Sequence, residues 1–159
     1  MVALATQVST VINANQAETF ARIAPIDLTS IFTGYGPLPA VIGTKDQTGR
    51  WDEAGQTRTV ELSDGSTAQE KLDVYTYPSY FSYTVSNFSG SLRFLTTSAN
   101  GEWWFEQQDS GKTNVKWRYA FHARSVFAVP ILWFIATVLW HRYMAKALAL
   151  AKKQTEVSP

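Results

Sequence analysis

The sequence contains no cysteine, which excludes disulfides, thiolate metal ligands and cysteine nucleophiles. It has two histidines, His122 and His141, and neither belongs to a cluster with metal-ligand spacing. No Gly-x-Ser-x-Gly elbow occurs, and Gly34-Tyr35-Gly36 lacks the next glycine of a dinucleotide fingerprint. We therefore expect no metal site, no cofactor and no assignable catalytic residue.

An excess of charge of either sign is also missing. The 14 Lys and Arg residues nearly balance the 13 Asp and Glu residues, giving a net charge of +1 without a basic stripe. Nucleic-acid binding requires such a stripe, so we expect no nucleic-acid partner. Residues 1–9 show neither the positive nor the apolar region of a secretory signal. Together with the absence of cysteine, this predicts a cytoplasmic protein.

The longest uncharged apolar run covers residues 126–140 and is shorter than a membrane span, which needs about 20 residues. The run contains Pro130 and continues into His141 and Arg142. We interpret it as a buried core helix and expect no stable membrane insertion.

Aromatic residues, in contrast, are abundant. Six Trp, seven Tyr and nine Phe make up 14% of the sequence. Such large rings indicate either a dense core or a pocket lined by rings.

Alternating apolar and β-branched residues predict seven strands, and short turns rich in Gly, Ser, Asp and Pro separate most of them. Consecutive strands joined in this way form an antiparallel sheet. The predicted strands cover residues 7–12, 40–45, 56–62, 67–77, 80–88, 102–108 and 114–124.

Two short helices are predicted after the first strand. Asn15 is placed to cap one, and Pro25 to start the other over residues 26–32. Residues 33–39, rich in Gly and Pro, form a loop that is a candidate lid over a cavity mouth.

A long helix is predicted from Ser125 to about Lys153, roughly 40 Å in length, with a kink near Pro130. Its apolar face follows a three-to-four-residue spacing. That face carries Val129, Trp133, Ala136, Trp140, Met144, Ala147 and Ala151. The fold class is therefore α+β: a curved antiparallel sheet of about seven strands wrapped around the long C-terminal helix.

Several segments resemble the SRPBCC superfamily, also called START-like or helix-grip, and within it the polyketide cyclase/dehydrase-like branch. They are Trp51, residues 55–65, Glu70-Lys71-Leu72, residues 81–83, 101–105 and 113–117. The resemblance implies a helix-grip fold over one domain, residues 1–159, with an ordered core at about 6–153 and a short polar tail. It also implies a ligand cavity between sheet and helix, and it transfers no catalytic residue.

Strand parity predicts which side chains face this cavity. The sheet contributes aromatic rings and the helix two tryptophans, while Trp104 faces outward. The predicted lining residues are Phe81, Tyr83, Trp103, Phe105, Trp117, Tyr119, Phe121, Trp133 and Trp140.

The turn at Asp64-Gly65 decides the register of one hairpin. A three-residue loop with Gly65 in a left-handed bulge pairs Leu62 with Ser66 and makes one face apolar, with Val60, Leu62, Ala68, Leu72 and Val74. This register places Arg58 opposite Glu70 on the inner face. The pair either fixes register at a half-wet sheet end or forms the polar end of the pocket and binds a ligand group.

Three functions remain open at this point. The first is binding or transport of a hydrophobic small molecule, such as a lipid, polyketide or aromatic compound. The second is a cyclase, aromatase or dehydratase that uses Arg58, Glu70 and a tyrosine. The third is a module that docks on a partner or membrane surface. The lack of an organised acid/base set favours the first over the second, and a homodimer is left open. The balanced charge disfavours the third, because anionic membranes call for clustered Lys and Arg.

Overall fold

The computed structural model describes residues 2–157, so the ends of the predicted domain, Met1, Ser158 and Pro159, lie outside the described residues. Seven strands form one antiparallel sheet, as expected, and their order in the sheet is β1-β7-β6-β5-β4-β3-β2. The strands are β1 Ala3–Ile12, β2 Val41–Lys45, β3 Thr57–Leu62, β4 Thr67–Thr76, β5 Tyr80–Ser86, β6 Thr96–Gln107 and β7 Thr113–Ala123.

The β3–β4 hairpin has the predicted register. The Leu62 N–H donates to the Ser66 carbonyl at 2.9 Å, and Gly65 has a φ of 86°. A residue without a Cβ adopts this left-handed conformation at little cost. Arg58 consequently pairs with Glu70, and Val60 with Ala68.

Two strands begin earlier than predicted. β1 starts at Ala3 rather than residue 7, and β6 starts at Thr96 rather than residue 102. The added part of β6 ends in Ala99, Asn100 and Gly101, residues that strands usually disfavour. It lies between β5 and β7, where Ala99 is fully buried and Gly101 pairs with Tyr83. Small residues are needed there because the neighbouring strands contribute large rings.

Val74 was predicted to face inward and instead lies on the outer face, 43% exposed. The register of β4 against β5 shifts between Leu72 and Val74, so one extra residue is accommodated. Because side-chain direction alternates along a strand, this bulge reverses the parity beyond it. Tyr75, which packs against Phe20, takes the inward direction.

The first short helix, α1 (Gln16–Ile23), is capped as predicted, because the Asn15 side chain accepts the Glu18 N–H at 2.9 Å. The second prediction was too long. Residues 26–32 contain only a 3₁₀ turn, Leu28–Ser30, and Asp27 rather than Pro25 marks its start by accepting the Thr29 N–H.

The C-terminal helix runs from Val126 to Val157 and is longer than predicted. It comprises a 3₁₀ turn (Val126–Ala128), α2 (Val129–Phe134), a π-helical turn (Ile135–Trp140) and α3 (His141–Val157). Pro130 lies in the first turn of α2, where its missing N–H is tolerated. The main irregularity is therefore the π-helical turn rather than a kink at Pro130.

This is the single helix among residues 2–157 that is long and apolar enough to cross a membrane by length and composition. It is the core helix of the fold. Its buried side, which includes Leu132, Ala136, Met144, Ala147 and Ala151, packs in one cluster with the inner face of the sheet.

Candidate functional site

A cavity of about 370 Å³ lies between the inner face of the sheet, the C-terminal helix and residues 23–41. This volume is in the range of small-molecule sites. The exposed lining residues Pro37, Asp64 and Ser91 belong to three different loops, so we place the mouth where these loops meet. The wall is predominantly apolar and aromatic.

Most residues predicted from the sequence to contact a ligand do line this cavity. Six are aromatic residues of strands β5 to β7, one is a tryptophan of the C-terminal helix, and two are the polar pair of the β3–β4 hairpin. Together they are Arg58, Glu70, Phe81, Tyr83, Trp103, Trp117, Tyr119, Phe121 and Trp140. Phe105 and Trp133 do not line it.

Phe105 faces inward as predicted but lies beyond the cavity. Its ring packs against Phe20 of α1 at a centroid distance of 4.9 Å, and Phe20 also contacts Phe81. Phe105 is therefore a core residue, because α1 fills that end of the sheet.

Trp133 is 54% exposed, which corrects its predicted place in the cavity. The prediction assumed that the α-helical spacing of Met144, Ala147 and Ala151 continues without a break towards the start of the helix, through Trp140 to Trp133. The π-helical turn contains more residues per turn and changes the phase of the helix. Leu132, one position earlier, is buried instead, and the Thr137 hydroxyl donates to the Trp133 carbonyl at 2.7 Å.

The Arg58–Glu70 pair is the polar element of the inner wall. Arg58 Nε lies 2.8 Å from Glu70 Oε1, and the two side chains are 8% and 12% exposed. The guanidinium carbon of Arg58 also lies 4.0 Å from the centre of the Trp51 ring. The ion pair and the ring together fix the plane of the guanidinium beside the cavity.

Several donors of the wall have no acceptor among residues 2–157. Arg58 uses only Nε in a hydrogen bond, which leaves Nη1 and Nη2 without a protein partner. The buried indole Nε1 of Trp140 likewise has none. A buried donor is normally satisfied, so Trp140 Nε1 suits a molecule with an acceptor oxygen, and the Nη groups of Arg58 in the cavity wall offer further donors to it.

Two tyrosines contribute hydroxyls to the inner wall. Trp117 Nε1 donates to the Tyr83 hydroxyl at 3.2 Å. Burial raises the pKa of Tyr83, and the negative charge of Glu70 raises it further. Burial likewise raises the pKa of Tyr119 well above its usual value. Both phenols are therefore neutral at physiological pH.

The loop of residues 33–40 is tied to the helix beside the mouth. The Tyr143 hydroxyl accepts the Gly34 N–H at 2.9 Å and donates to the Pro39 carbonyl at 2.8 Å. Lys146 Nζ donates to the Gly34 carbonyl at 2.9 Å. Leu38 and Pro39 line the cavity, so this candidate lid is tied to the helix at the edge of the cavity.

Sequence reasoning missed three residues that shape the site. Trp51 was named only among the segments that carry the family resemblance, Tyr143 was not singled out, and Gly101 lay just before the predicted strand 102–108. A Cβ on Gly101 would lie 2.2 Å from Cζ of Tyr83, so the glycine makes room for that ring. The position of Tyr143 three residues after Trp140 was the available signal for its direction.

Acid/base and metal chemistry have few candidates. The carboxylates of the wall are Glu70, engaged by Arg58, and Asp64, whose pKa is lowered by hydrogen bonds from Ser66. His141 Nδ1 contacts the Thr6 hydroxyl at 2.6 Å, and His122 contacts Asn100 on the outer face. Within residues 2–157, no group of three His, Asp or Glu side chains is placed to hold a metal.

Solved structures share this architecture at low sequence identity. The chain matches Ara h 8.0201 at 14% identity and a TM-score of 0.72, covering 99% of this chain and 100% of the other. It matches norcoclaurine synthase from Thalictrum flavum, solved with dopamine and hydroxybenzaldehyde, at 13% identity and a TM-score of 0.70, covering 99% and 90%. An uncharacterised protein from Bacillus thuringiensis gives 20% identity and a TM-score of 0.65, covering 95% and 98%.

These likenesses establish the fold alone. A comparison with curated protein sequences gives no match. The family model described as polyketide cyclase/dehydrase and lipid transport matches residues 3–156, nearly the whole chain. The chain therefore belongs to the polyketide cyclase/dehydrase and lipid transport family, of SRPBCC type, and has its helix-grip fold.

Proposed function

We propose that this protein binds, and in that way carries, one hydrophobic small molecule in the cavity between the sheet and the C-terminal helix. The observation that carries the proposal is the cavity of about 370 Å³ with a mostly apolar and aromatic wall. An apolar molecule that enters such a site leaves water and gains roughly 25 cal/mol per Å² of buried surface. Lipid, polyketide and polycyclic aromatic molecules fit this description.

Native mass spectrometry of the purified protein tests the proposal, followed by denaturing identification of any released compound. We expect an adduct of one small apolar molecule per chain. Absence of an adduct, combined with failure of neutral apolar dyes to enter, would contradict carriage.

A cyclase, aromatase or dehydratase in the same cavity is the alternative. The wall brings Arg58, Glu70 and Tyr83 to one site, which supports this option. However, Glu70 is held by Arg58 and both buried tyrosines keep their protons, so none is poised as a general base. Turnover of a poly-β-ketone that is lost in Glu70→Gln would favour the enzyme over the carrier.

An exposed apolar patch on the helix start favours one additional role. We define this patch as Val126, Phe127, Ile131, Trp133 and Phe134, of which Phe127 is 88% exposed. Ile135 and Leu139 on the same helix line the cavity, so the patch continues towards the ligand site.

Arg124 lies two residues before the helix-start patch and is linked to a second arginine, Arg93. Arg124 Nε donates to the Arg93 carbonyl at 2.7 Å, and Arg93 lies 4.2 Å from the Phe94 ring. Apolar side chains beside cations suit reversible docking on an anionic bilayer, without stable insertion. We propose that the patch docks there while ligand is exchanged.

Co-sedimentation with vesicles of phosphatidylcholine, with and without phosphatidylserine, tests the docking role. Binding that rises with phosphatidylserine and falls in Phe127→Ser supports it. No vesicle binding, with a dimer in sedimentation that Phe127→Ser dissociates, would instead assign the patch to a second copy of the chain.

A cytoplasmic location and the absence of a nucleic-acid partner remain part of the proposal.

A further inference from the structure

The chemistry of the Arg58–Glu70 pair restricts the ligand further. We infer that the bound molecule presents an uncharged oxygen group, a hydroxyl or a ketone, to this pair, and that carboxylates are disfavoured. The inference rests on the proposed binding function and names the ligand class of the same cavity.

Charge balance is the first argument. Arg58 and Glu70 are in direct contact at 2.8 Å and are both largely buried, so their charges cancel locally. The other charged lining residue is Asp64, which is exposed at the mouth and negative. A ligand carboxylate would add an uncompensated negative charge to a poorly solvated wall, and such burial is costly.

Hydrogen-bonding capacity is the second argument. Among residues 2–157, Arg58 Nη1 and Nη2 have no acceptor, and Glu70 Oε2 has no donor. The pair therefore offers donors and one acceptor side by side, on a guanidinium held flat by Trp51. A hydroxyl both accepts and donates, and a ketone accepts from the arginine alone. An ammonium group would be repelled by Arg58.

The outer face of the same sheet supplies a matched control. Arg118 Nη1 lies 3.4 Å from Glu102 Oε1, also between neighbouring strands, but with 41% and 29% of the side chains exposed. Glu102→Gln thus makes the same chemical change as Glu70→Gln without touching the cavity.

The experiment measures displacement of Nile red by decanol and by decanoate at neutral pH, in the wild type, Glu70→Gln and Glu102→Gln. The readout is the ratio of the dissociation constant of decanol to that of decanoate. Decanol and decanoate differ in hydrophobicity, but this difference is the same for every variant and cancels when the ratios of two variants are compared. Because Glu70→Gln leaves the Arg58 charge unbalanced, we expect the ratio to shift towards decanoate by about tenfold or more. In Glu102→Gln the ratio should equal that of the wild type.

The possible results distinguish failure of the proposed binding function from failure of the inferred head-group chemistry. If neither Nile red nor decanol binds the wild type, the proposed function fails. If both bind but Glu70→Gln leaves the ratio unchanged, the inference that the ligand presents an uncharged oxygen group is wrong. The same conclusion follows if the wild type prefers decanoate.

A double variant guards against misfolding of Glu70→Gln. Replacing a buried ion pair by apolar residues of similar size is usually tolerated. Arg58→Met/Glu70→Leu should therefore fold and bind decane at least as well as the wild type, but lose most of the affinity for decanol relative to decane. An unchanged ratio of decanol to decane binding would overturn the inference.

Discussion

The two faces of the sheet each carry an Arg–Glu pair between neighbouring strands, and the pairs differ in their surroundings. Arg58–Glu70 on the inner face is close, buried and stacked on Trp51, whereas Arg118–Glu102 on the outer face is longer and half exposed. Water screens the outer pair and competes for its hydrogen bonds. The same two residue types are therefore expected to contribute little to stability on the outer face, whereas on the inner face they line the cavity that we propose binds the ligand.

The largest expected effect comes from breaking the inner pair. Glu70→Leu leaves the Arg58 charge buried without compensation, which should lower the free energy of unfolding by about 3–5 kcal/mol. Urea denaturation followed by circular dichroism measures this. A loss below about 1 kcal/mol would show that Arg58 is solvated through the cavity and that the pair is not a buried one.

The inner tyrosines should make the protein sensitive to alkaline pH. Burial raises the pKa of Tyr83 and of Tyr119 above the usual value near 10, so the folded state keeps protons that the unfolded state releases. Their stabilising contribution is complete below about pH 10 and declines above it, by roughly 1.4 kcal/mol per pH unit for each residue.

Denaturation curves between neutral and strongly alkaline pH check this sign. Tyr83→Phe and Tyr119→Phe should each flatten the decline, while Tyr77→Phe, on an exposed residue, should not. A decline of the same slope in all three variants would contradict the assignment.

Gly101 tests how tightly the inner wall is packed. Because a Cβ there would lie 2.2 Å from Cζ of Tyr83, Gly101→Ala must displace the ring, at a cost of about 1–3 kcal/mol. Thermal unfolding measures the loss. In a Tyr83→Phe background the loss caused by Gly101→Ala should be smaller, because the hydroxyl that the added Cβ would also meet is absent. An equal loss in both backgrounds would place the strain elsewhere.

The smallest effect is expected from the outer pair. Glu102→Gln should change the free energy of unfolding by less than about 1 kcal/mol, because its partner Arg118 stays hydrated. The same denaturation assay as for Glu70→Leu gives a direct comparison. A loss as large as that of Glu70→Leu would remove the distinction between the two faces.

Much of the sheet could be predicted because strand alternation and turn chemistry are local signals. The turn at Gly65, together with the requirement that one face be apolar, was enough to pair Arg58 with Glu70. The parts that were wrong depend on non-local packing. The bulge that turns Val74 outward, the π-helical turn that exposes Trp133 and the strand made of small residues around Gly101 are each set by neighbouring elements.

The cavity itself was expected from resemblance, but its boundary was not. Phe105 was assigned to the wall by parity, and only the position of α1 shows that Phe20 covers it. Trp51 lies within the loop between β2 and β3, which has no periodicity, so nothing in the sequence indicated that it contacts Arg58.

Quenching of tryptophan fluorescence by bromodecanol tests the central claim most directly, namely that one uncharged apolar molecule occupies this cavity. Trp51, Trp103, Trp117 and Trp140 line the cavity, while Trp104 and Trp133 lie outside it. The account predicts that quenching saturates at one molecule per chain. It also predicts that quenching is abolished in Ala68→Phe, because the larger side chain occupies the cavity that Ala68 lines. Quenching that never saturates, or that persists unchanged in folded Ala68→Phe, would contradict it.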